Sequence, residues 1–406
     1  MSVFPKGFFW GAATSSYQVE GGNSNCDWWA WEKSSPKREQ SGQACKHYQL
    51  YKEDFDLAKS LNHNAHRFSI EWSRVQPEQD LFSQEAIDHY QDVVKSLRDR
   101  NLEPIVTLHH FTNPIWLSAI GGWENKKTIK LFLVYVERLV SALCENVKFW
   151  VTINEPNVYA YHAYLLGVWP PQKTSIASVK RVTDNFVAAH IAAYKLIHSI
   201  YKKRGLPSPF VSIAQNAQAF LACKPTLRNN LAVYLRNKVY NLDFITKIAK
   251  QGAVDYIGIN YYSRSLVDTY GWGIRNIGGD VCKDNHNNLD KNSLGWEIYP
   301  EGLYDLLMQF KRYNLPLFIL ENGICTNDDS KRWEYIRQHL KSVNRAMDDG
   351  CKILGYIYWS LIDNFEWDKG YAPRFGLIDV NYSTFQRTVR ESARKFASVC
   401  QTGRIE

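Results

Sequence analysis

Phe149-Trp150-Val151-Thr152-Ile153-Asn154-Glu155-Pro156 decides how this chain is read. Its first five residues are aromatic or β-branched, the composition of a buried strand. It then ends on Asn154 and Glu155, both polar, and on Pro156, which cannot donate to a ladder. An apolar strand that delivers a carboxylate at its carboxyl end is how a barrel enzyme places a reacting group. A second stretch has the same form: Pro316-Leu317-Phe318-Ile319-Leu320-Glu321-Asn322-Gly323 is an apolar run ending on Glu321. Either stretch alone would serve equally as a helix cap or a surface turn. Together they point to a site built from two carboxylates.

Outward from these two stretches, short apolar runs alternate with longer amphipathic ones. Strands are expected at 8–14, 65–70, 104–108, 149–153, 210–214, 256–260, 317–320 and 355–359. Helices are expected at 47–61, 83–100, 128–143, 175–204, 231–250, 300–313, 330–349 and 385–400. Tyr51, Phe55, Ala58 and Leu61 show the helical spacing in the first of these. Pro300 falls in a first helical turn and Gly350 just past a last one. Strand then helix, eight times over, predicts an α/β fold: one (β/α)8 TIM barrel over 1–406, a single domain with its active site at the carboxyl ends of the strands. No Pro/Ser-rich linker divides the 406 residues. One irregular stretch rich in Gly and Asn, 263–299, follows the sixth strand and is expected to lie over the active face.

Apolar residues make up 45% of the chain and aromatics 14%, with 14 Trp and 24 Tyr. That excludes a disordered chain and supplies flat faces on which sugar rings stack. The net charge of +8 comes from scattered residues, and clusters such as Lys202-Lys203-Arg204 are short. With no basic stripe or recognition module, no nucleic-acid partner is expected. The eight cysteines, at 26, 45, 144, 223, 282, 325, 351 and 400, form no Cys-x-x-Cys pair. Scattered thiols in a large chain suit a reducing compartment. After Lys6 only Gly7-Phe8-Phe9-Trp10 precede small and polar residues, so no secretory leader is expected. Nor does any run approach the roughly 18 apolar residues of a membrane span. A cytoplasmic protein without a membrane partner is the expectation, and nothing in the sequence sets an oligomeric state.

The barrel reading requires polar residues where each strand stops. Gln18 and Glu20 follow the first strand; Arg67 lies in the second, before Glu71-Trp72; His109-His110 end the third. Asn154 and Glu155 end the fourth, Gln215 and Asn216 the fifth, and Asn260, Tyr261 and Tyr262 the sixth. Glu321 and Asn322 end the seventh, and Trp359, then Asp363, Asn364, Glu366 and Trp367, follow the eighth. Gly-rich phosphate loops are absent. His109-His110 point to opposite faces of a strand, so neither a metal nor a cofactor is expected. Amides and acids suit hydroxyl groups, and tryptophans suit a pyranose face, so the ligand should be a neutral polyol ring. Two carboxylates around a sugar suggest glycoside hydrolysis. A separation of ~5 Å gives direct attack with retention, and ~6.5–9.5 Å leaves room for a water and gives inversion. A general acid needs a raised pKa and a nucleophile a charged form favoured by a nearby cation, for which Arg67 is the candidate beside Glu321.

The same residues resemble glycoside hydrolase family 1, the β-glucosidase and β-galactosidase type, nearly end to end. The resemblance runs through Phe8-Phe9-Trp10-Gly11-Ala12-Ala13-Thr14-Ser15-Ser16-Tyr17-Gln18-Val19-Glu20-Gly21, Arg67-Phe68-Ser69-Ile70-Glu71-Trp72-Ser73-Arg74 and Thr152-Ile153-Asn154-Glu155-Pro156. It continues in Gly258-Ile259-Asn260-Tyr261-Tyr262, Gly295-Trp296-Glu297-Ile298-Tyr299-Pro300, Leu320-Glu321-Asn322-Gly323, Trp359-Ser360-Leu361-Ile362-Asp363-Asn364-Phe365-Glu366-Trp367 and Arg374-Phe375-Gly376-Leu377. It implies a retaining β-glycosidase that hydrolyses terminal non-reducing β-D-glucosyl residues, with galactosyl and fucosyl residues left open, in small β-glycosides or oligosaccharides. Glu155 matches the family's acid/base and Glu321 its nucleophile. Asn154 matches the residue on the 2-hydroxyl, and Tyr262 the phenol on the nucleophile. Gln18, His110, Glu366 and Trp367 match those gripping hydroxyls 3, 4 and 6. Trp359 matches the platform under the ring, and Trp296 an aglycone wall. Arg67 and Asn260 support the carboxylates.

Members that cleave 6-phospho sugars resemble a different pattern after the last strand, with a Ser and then a Lys and Tyr. Asn364-Phe365-Glu366-Trp367 keeps an acid there, which would repel a phosphate. A 6-phospho-β-glycosidase is therefore the lesser alternative, as is a catalytically weak sugar-binding barrel, since both glutamates are present. Two departures from the family stand out. Phe111 replaces a common Trp, which bears on the 3-hydroxyl contact and not on the chemistry. Gln172 replaces a frequent Gly at the rim.

Overall fold

The computed structural model of the chain describes residues 2–269 and 289–405. Eight strands close into a parallel barrel in sequence order. They are β1 (Phe9–Ala13), β2 (Ala65–Ser69), β3 (Glu103–Thr107), β4 (Phe149–Asn154), β5 (Phe210–Ala222), β6 (Ile257–Val267), β7 (Leu317–Asn322) and β8 (Ile353–Trp359). Helices follow the strands, among them His47–Ser60, Gln84–Asp99, Lys127–Leu143, Ile176–Lys203, Pro300–Lys311 and Asp329–Asp348. This is the (β/α)8 architecture that the strand–helix rhythm predicts. Pro300 is the first residue of its helix, and Gly350 takes φ +87° after the helix that precedes β8. Ser83 and Asp328 cap their helices by accepting from backbone N–H groups two or three residues on.

The barrel interior is layered. Near its amino end, Phe9, Phe149 and Phe318 meet at ring separations of 5.3, 5.8 and 5.9 Å and close the floor. These rings belong to one apolar cluster with Ala13, Ile105, Val151 and Leu320, enclosed by the strands. A larger cluster lies between the strands and the helical ring and contains Trp150, Ile153, Val211 and Ile259. Successive residues of β4 thus divide between the two sides of the wall, Phe149 and Val151 inward and Trp150 outward. Above the floor, charged and amide side chains replace rings.

Register shifts mark that change. They fall between Val151 and Asn154 on β4, between Ile259 and Asn260 on β6, and between Ile319 and Asn322 on β7. A bulge re-aims the residues that follow it. Gly323 serves the same end, because a Cβ there would lie 1.8 Å from the Trp359 carbonyl oxygen. Only glycine lets the end of β7 pass that close to β8.

Four expectations are corrected. β5 and β6 run far past 214 and 260, pairing Ala219–Ala222 with Arg264–Val267, so the first part of the irregular stretch 263–299 is strand; 270–288 of that stretch lie outside the described residues. The helix expected at 231–250 begins at Leu227 and is interrupted by a π-helical turn, Asn237–Leu242. The last helix spans Glu391–Thr402, because Arg387–Val389, β-branched at two of three positions, pairs with Ile378–Val380 instead of joining it. Cys223 is disulfide-bonded, whereas Cys26, Cys45, Cys144, Cys325, Cys351 and Cys400 are free thiols. Among the described residues no helix is long and apolar enough to cross a membrane.

Candidate active site

A cavity of about 820 Å3 opens at the carboxyl ends of the strands. Its lining includes Gln18, His110, Asn154, Glu155, Tyr262, Trp296, Glu321, Trp359, Glu366 and Trp367. Arg67 and Asn260 lie beneath it, both buried. All twelve residues singled out from the sequence are therefore brought together.

Glu321, near the end of β7, is buried and held from two sides. Arg67 on β2 donates through Nη1 to its Oε1 at 2.5 Å, and the Tyr262 hydroxyl on β6 donates to its Oε2 at 2.5 Å. Burial pushes this carboxyl up, while the Arg67 charge and the Tyr262 hydrogen bond oppose the rise. Glu155 has a different setting. It follows β4 with φ +43°, a left-handed conformation that few non-glycine residues adopt. That turn sends the side chain into the cavity at the head of the helix Pro156–Tyr161. Its Oε1 accepts from Asn260 Nδ2 at 2.8 Å and from Asn216 Nδ2 at 2.9 Å. Both donors are neutral. Burial first, and then the charge of Glu321, push its carboxyl up to about 8.

One chain of contacts connects the two acids. Arg67 donates through Nη2 to Asn154 Oδ1 at 2.6 Å, and Asn260 Nδ2 approaches the same oxygen at 3.2 Å. Asn154 Nδ2 meets His110 Nε2 at 3.2 Å. Burial and the Arg67 charge hold His110 well below the usual imidazole range, so its ring is neutral and can accept or donate. Across the cavity, Gln18 Nε2 donates to Glu366 Oε2 at 3.0 Å and to Asn364 Oδ1 at 2.9 Å. Burial and the nearby Glu321 push the Glu366 carboxyl up to about 8. At neutral pH it can donate as well as accept, and the phosphate repulsion expected of it is full only above that value.

Aromatic rings form the walls. His110 lies nearly parallel to Trp359 and Trp367, at interplanar angles of 22° and 15°. Trp367 stacks on Tyr17 at 6°. Trp296, 39% exposed, stands at the mouth with its ring 5.8 Å from Tyr262 and 6.3 Å from Phe375. Phe111 packs on Trp169 and Trp367 at 5.0 and 5.2 Å, so it fills the wall without offering a polar hydrogen. Gln172 takes φ +60°, which gives a physical reason for a glycine being frequent at that position. His109 points away from the cavity, against Asn113 and Trp123. No group of three or more His, Cys, Asp or Glu side chains suited to a metal occurs among the described residues.

The sequence pattern of Glycosyl hydrolase family 1 matches residues 1–252 and 241–404. The chain belongs to glycosyl hydrolase family 1. Family 1 relatives match it nearly end to end. A β-glycosidase structure from Pyrococcus horikoshii superposes with a TM-score of 0.93 at 38% identity, covering 100% of this chain and 97% of that one. Beta-glucosidase A of Thermotoga maritima is 32% identical over 99% of each chain, and a β-glucosidase structure from Thermotoga maritima in complex with glucoimidazole superposes with a TM-score of 0.90 at 29% identity, covering 99% of this chain and 100% of that one. A beta-galactosidase of Sulfolobus acidocaldarius is 30% identical over 100% of this chain and 96% of its own. This family 1 chain is thus a β-glycosidase with the barrel of its relatives.

Three contributors to the site go beyond the residues singled out from the sequence. Asn216 ends the barrel part of β5 and holds Glu155; its position at a strand end was the only sign of it. Phe375 backs Trp296, and Asn364 orients Gln18. Phe375 carries no signal outside its motif, and the only sign of Asn364 was its place among the polar residues after the eighth strand.

Proposed function

We propose that this β-glycosidase hydrolyses terminal non-reducing β-D-glucosyl residues of unphosphorylated β-glycosides with retention. Galactosyl and fucosyl residues differ at the hydroxyls that Gln18 and Glu366 face, and are secondary substrates. The observation that carries the assignment is the contrast between the two acids. Glu321 is paired with a guanidinium and a phenol, which favour its charged form. Glu155 meets only neutral amides, and its carboxyl lies at about 8.

In the first step, Glu321 attacks the anomeric carbon. The bond to the leaving oxygen breaks, and Glu155 gives that oxygen its proton. Glu321 loses its negative charge in the resulting ester. The charge that helped to raise Glu155 is then gone, so Glu155 becomes the stronger acid and keeps its carboxylate form. It now takes a proton from water, which attacks the anomeric carbon and frees Glu321. Asn154, beside Arg67, would hold the 2-hydroxyl. Trp359 would lie under the ring, and the rest of the polar wall would bind hydroxyls 3, 4 and 6.

Retention is supported by Asn260. Its amide donates to Glu155 at 2.8 Å, and Asn260 itself lies opposite Glu321 in the pairing of β6 with β7. The two acids thus share one neighbour on the barrel wall, which favours the close spacing of a retaining pair, ~5 Å, over the ~6.5–9.5 Å of an inverting one. The glucoimidazole complex of the Thermotoga maritima relative supports a glucose-type ring in the inner cavity. Proton NMR of the first-formed sugar tests the reading: the β-anomer is expected, and initial release of the α-anomer overturns it.

A further inference from the structure

We infer that Arg387 and Arg390 are positioning residues that set the sugar preference of the inner cavity, by fixing Gln18 and Glu366 against each other from outside it. The inference rests on the proposed reaction, in which Gln18 and Glu366 face hydroxyls 4 and 6. After β8 the strand–helix rhythm lapses, and the last helix starts only at Glu391. The intervening stretch first forms the loop that carries Asn364, Glu366, Trp367 and Phe375. It then forms the two-stranded ribbon of Ile378–Val380 with Arg387–Val389. Arg387 opens the second strand of that ribbon, and Arg390 follows its end.

Each arginine fastens one side of the sugar grip. Arg390 grips Asp363 with both prongs, Nη1 donating to Oδ1 at 3.0 Å and Nη2 to Oδ2 at 2.8 Å. Asp363 is fully buried and also accepts from Arg374 Nη1 at 3.2 Å and the Gly376 N–H at 2.8 Å. The next residue, Asn364, accepts from Gln18, and its carbonyl accepts from the ribbon's Tyr382 hydroxyl at 3.2 Å. Arg387 holds the other side. Its Nε and Nη2 donate to the buried Asp54 carboxylate at 2.8 and 3.0 Å, and His47 Nδ1 meets the same group at 2.7 Å. Arg387 Nη2 also donates to the Cys45 carbonyl at 2.7 Å. The Cys45 N–H donates at 3.0 Å to the carbonyl of Val19, the neighbour of Gln18, and its Sγ donates at 3.0 Å to the Asp363 carbonyl. The two lines converge where Gln18 Nε2 meets Glu366 Oε2 at 3.0 Å and the Phe365 N–H meets the Gln18 carbonyl at 3.1 Å. Asp54, Asp363, Arg387 and Arg390 lie outside the cavity lining, so any effect they have on a sugar passes through this pair. Closing a ribbon does not require buried charge, because apolar side chains of like volume often serve as well or better. What a forked guanidinium–carboxylate pair adds is a single geometry. That is what a grip on hydroxyls needs, since a displacement of about 1 Å in a bound substrate is enough to cost up to about a hundredfold in rate.

The test compares kcat/KM for the nitrophenyl β-D-glucoside, β-D-galactoside and β-D-xyloside. All three share one leaving group; the galactoside inverts the 4-hydroxyl, and the xyloside lacks the 6-hydroxymethyl group. Arg390→Met should lower the glucoside-to-xyloside ratio about tenfold, the equivalent of one well-placed hydrogen bond, while the xyloside itself loses less than about threefold. Arg387→Met acts on the Gln18 side and should lower the glucoside-to-galactoside ratio by about fivefold to tenfold. Arg390→Lys and Arg387→Lys keep the charge and give up the fork, so each should move its ratio in the same direction by about threefold. The lysine variants carry the test where a methionine variant fails to fold. Equal losses on all three sugars, or a lower denaturation midpoint with the ratios unmoved, would make the arginines a latch and overturn the inference. So would an unaltered enzyme that cleaves the xyloside as fast as the glucoside, for then no grip at the 6-hydroxyl exists to be positioned. In both of these cases the reaction itself stands; only failure of the unaltered enzyme to cleave any of the three, or cleavage with inversion, tells against the reaction and takes the inference with it.

Discussion

Glu155 and Glu321 are the same residue type at the ends of two strands of one barrel, yet their surroundings differ in kind. Around Glu321 the partners are a guanidinium and a phenol from β2 and β6. Around Glu155 they are two carboxamides from β5 and β6. Both carboxyls are buried, so both pay for desolvation, but only Glu321 has a positive charge in contact to offset it. The difference teaches that the division of labour is not in the carboxylates. It lies in which residues the neighbouring strands bring beside them.

The largest expected break is at Glu321. Glu321→Ala removes the group that forms the covalent bond and should lower kcat on a nitrophenyl β-glucoside by roughly 10^4-fold or more. Turnover like that of the unaltered enzyme would end the assignment. Glu155→Ala should cost less, about 10^2–10^4-fold, because an activated leaving group departs without a proton. Azide, which needs no base, should recover rate in this variant and give a β-glycosyl azide. No recovery would tell against the acid/base role.

Arg67→Met tests the cationic partner itself. Without that charge, Glu321 protonates at higher pH, so the acid limb of kcat/KM should move up by about one unit or more. Arg67 also lowers the Glu155 carboxyl, so the basic limb should move up as well, by a smaller amount because no contact is lost there. Leaving a buried carboxylate unpaired should cost about 3–5 kcal/mol of stability, read as a lower denaturation midpoint. Limbs that stay in place would show that Arg67 positions the site without tuning it.

How much of this contrast is legible before folding follows from its causes. The eight strands are legible because aromatic and β-branched runs such as 149–153 and 317–320 are short, apolar and bounded by polar residues. The two acids are legible because each ends such a run. Arg67 is legible as an unusual charge inside a strand. The lengths of β5 and β6 are not, since 215–222 and 261–267 mix polar and apolar residues and are held by pairing with each other. Nor are the register shifts at Asn154 and Asn260, which depend on strands distant in sequence. The π-turn at Asn237–Leu242 reads as ordinary helix, because its side chains keep a helical composition. Asn216 looks like any amide at a strand end. Only the alignment of Asn216 with Asn260 across β5 and β6 brings both beside Glu155.

Asn216 therefore offers the finest test of the neutral surroundings. Its Nδ2 donates to Glu155, and its Oδ1 accepts from the Tyr240 hydroxyl at 2.9 Å, which holds the amide in the donating orientation. A donor favours the charged carboxylate, so Asn216→Ala should raise the Glu155 carboxyl further. The basic limb, expected near 8 in the unaltered enzyme, should move upward by about one unit, the equivalent of one hydrogen bond to a charged group. The second step needs Glu155 as a carboxylate, so kcat on an activated aryl glycoside should fall at mildly acidic pH and recover as pH rises. Tyr240→Phe leaves the amide in place and should shift the limb less. A scaffold role for Asn216 would instead lower activity by the same factor at every pH, with the limb unmoved.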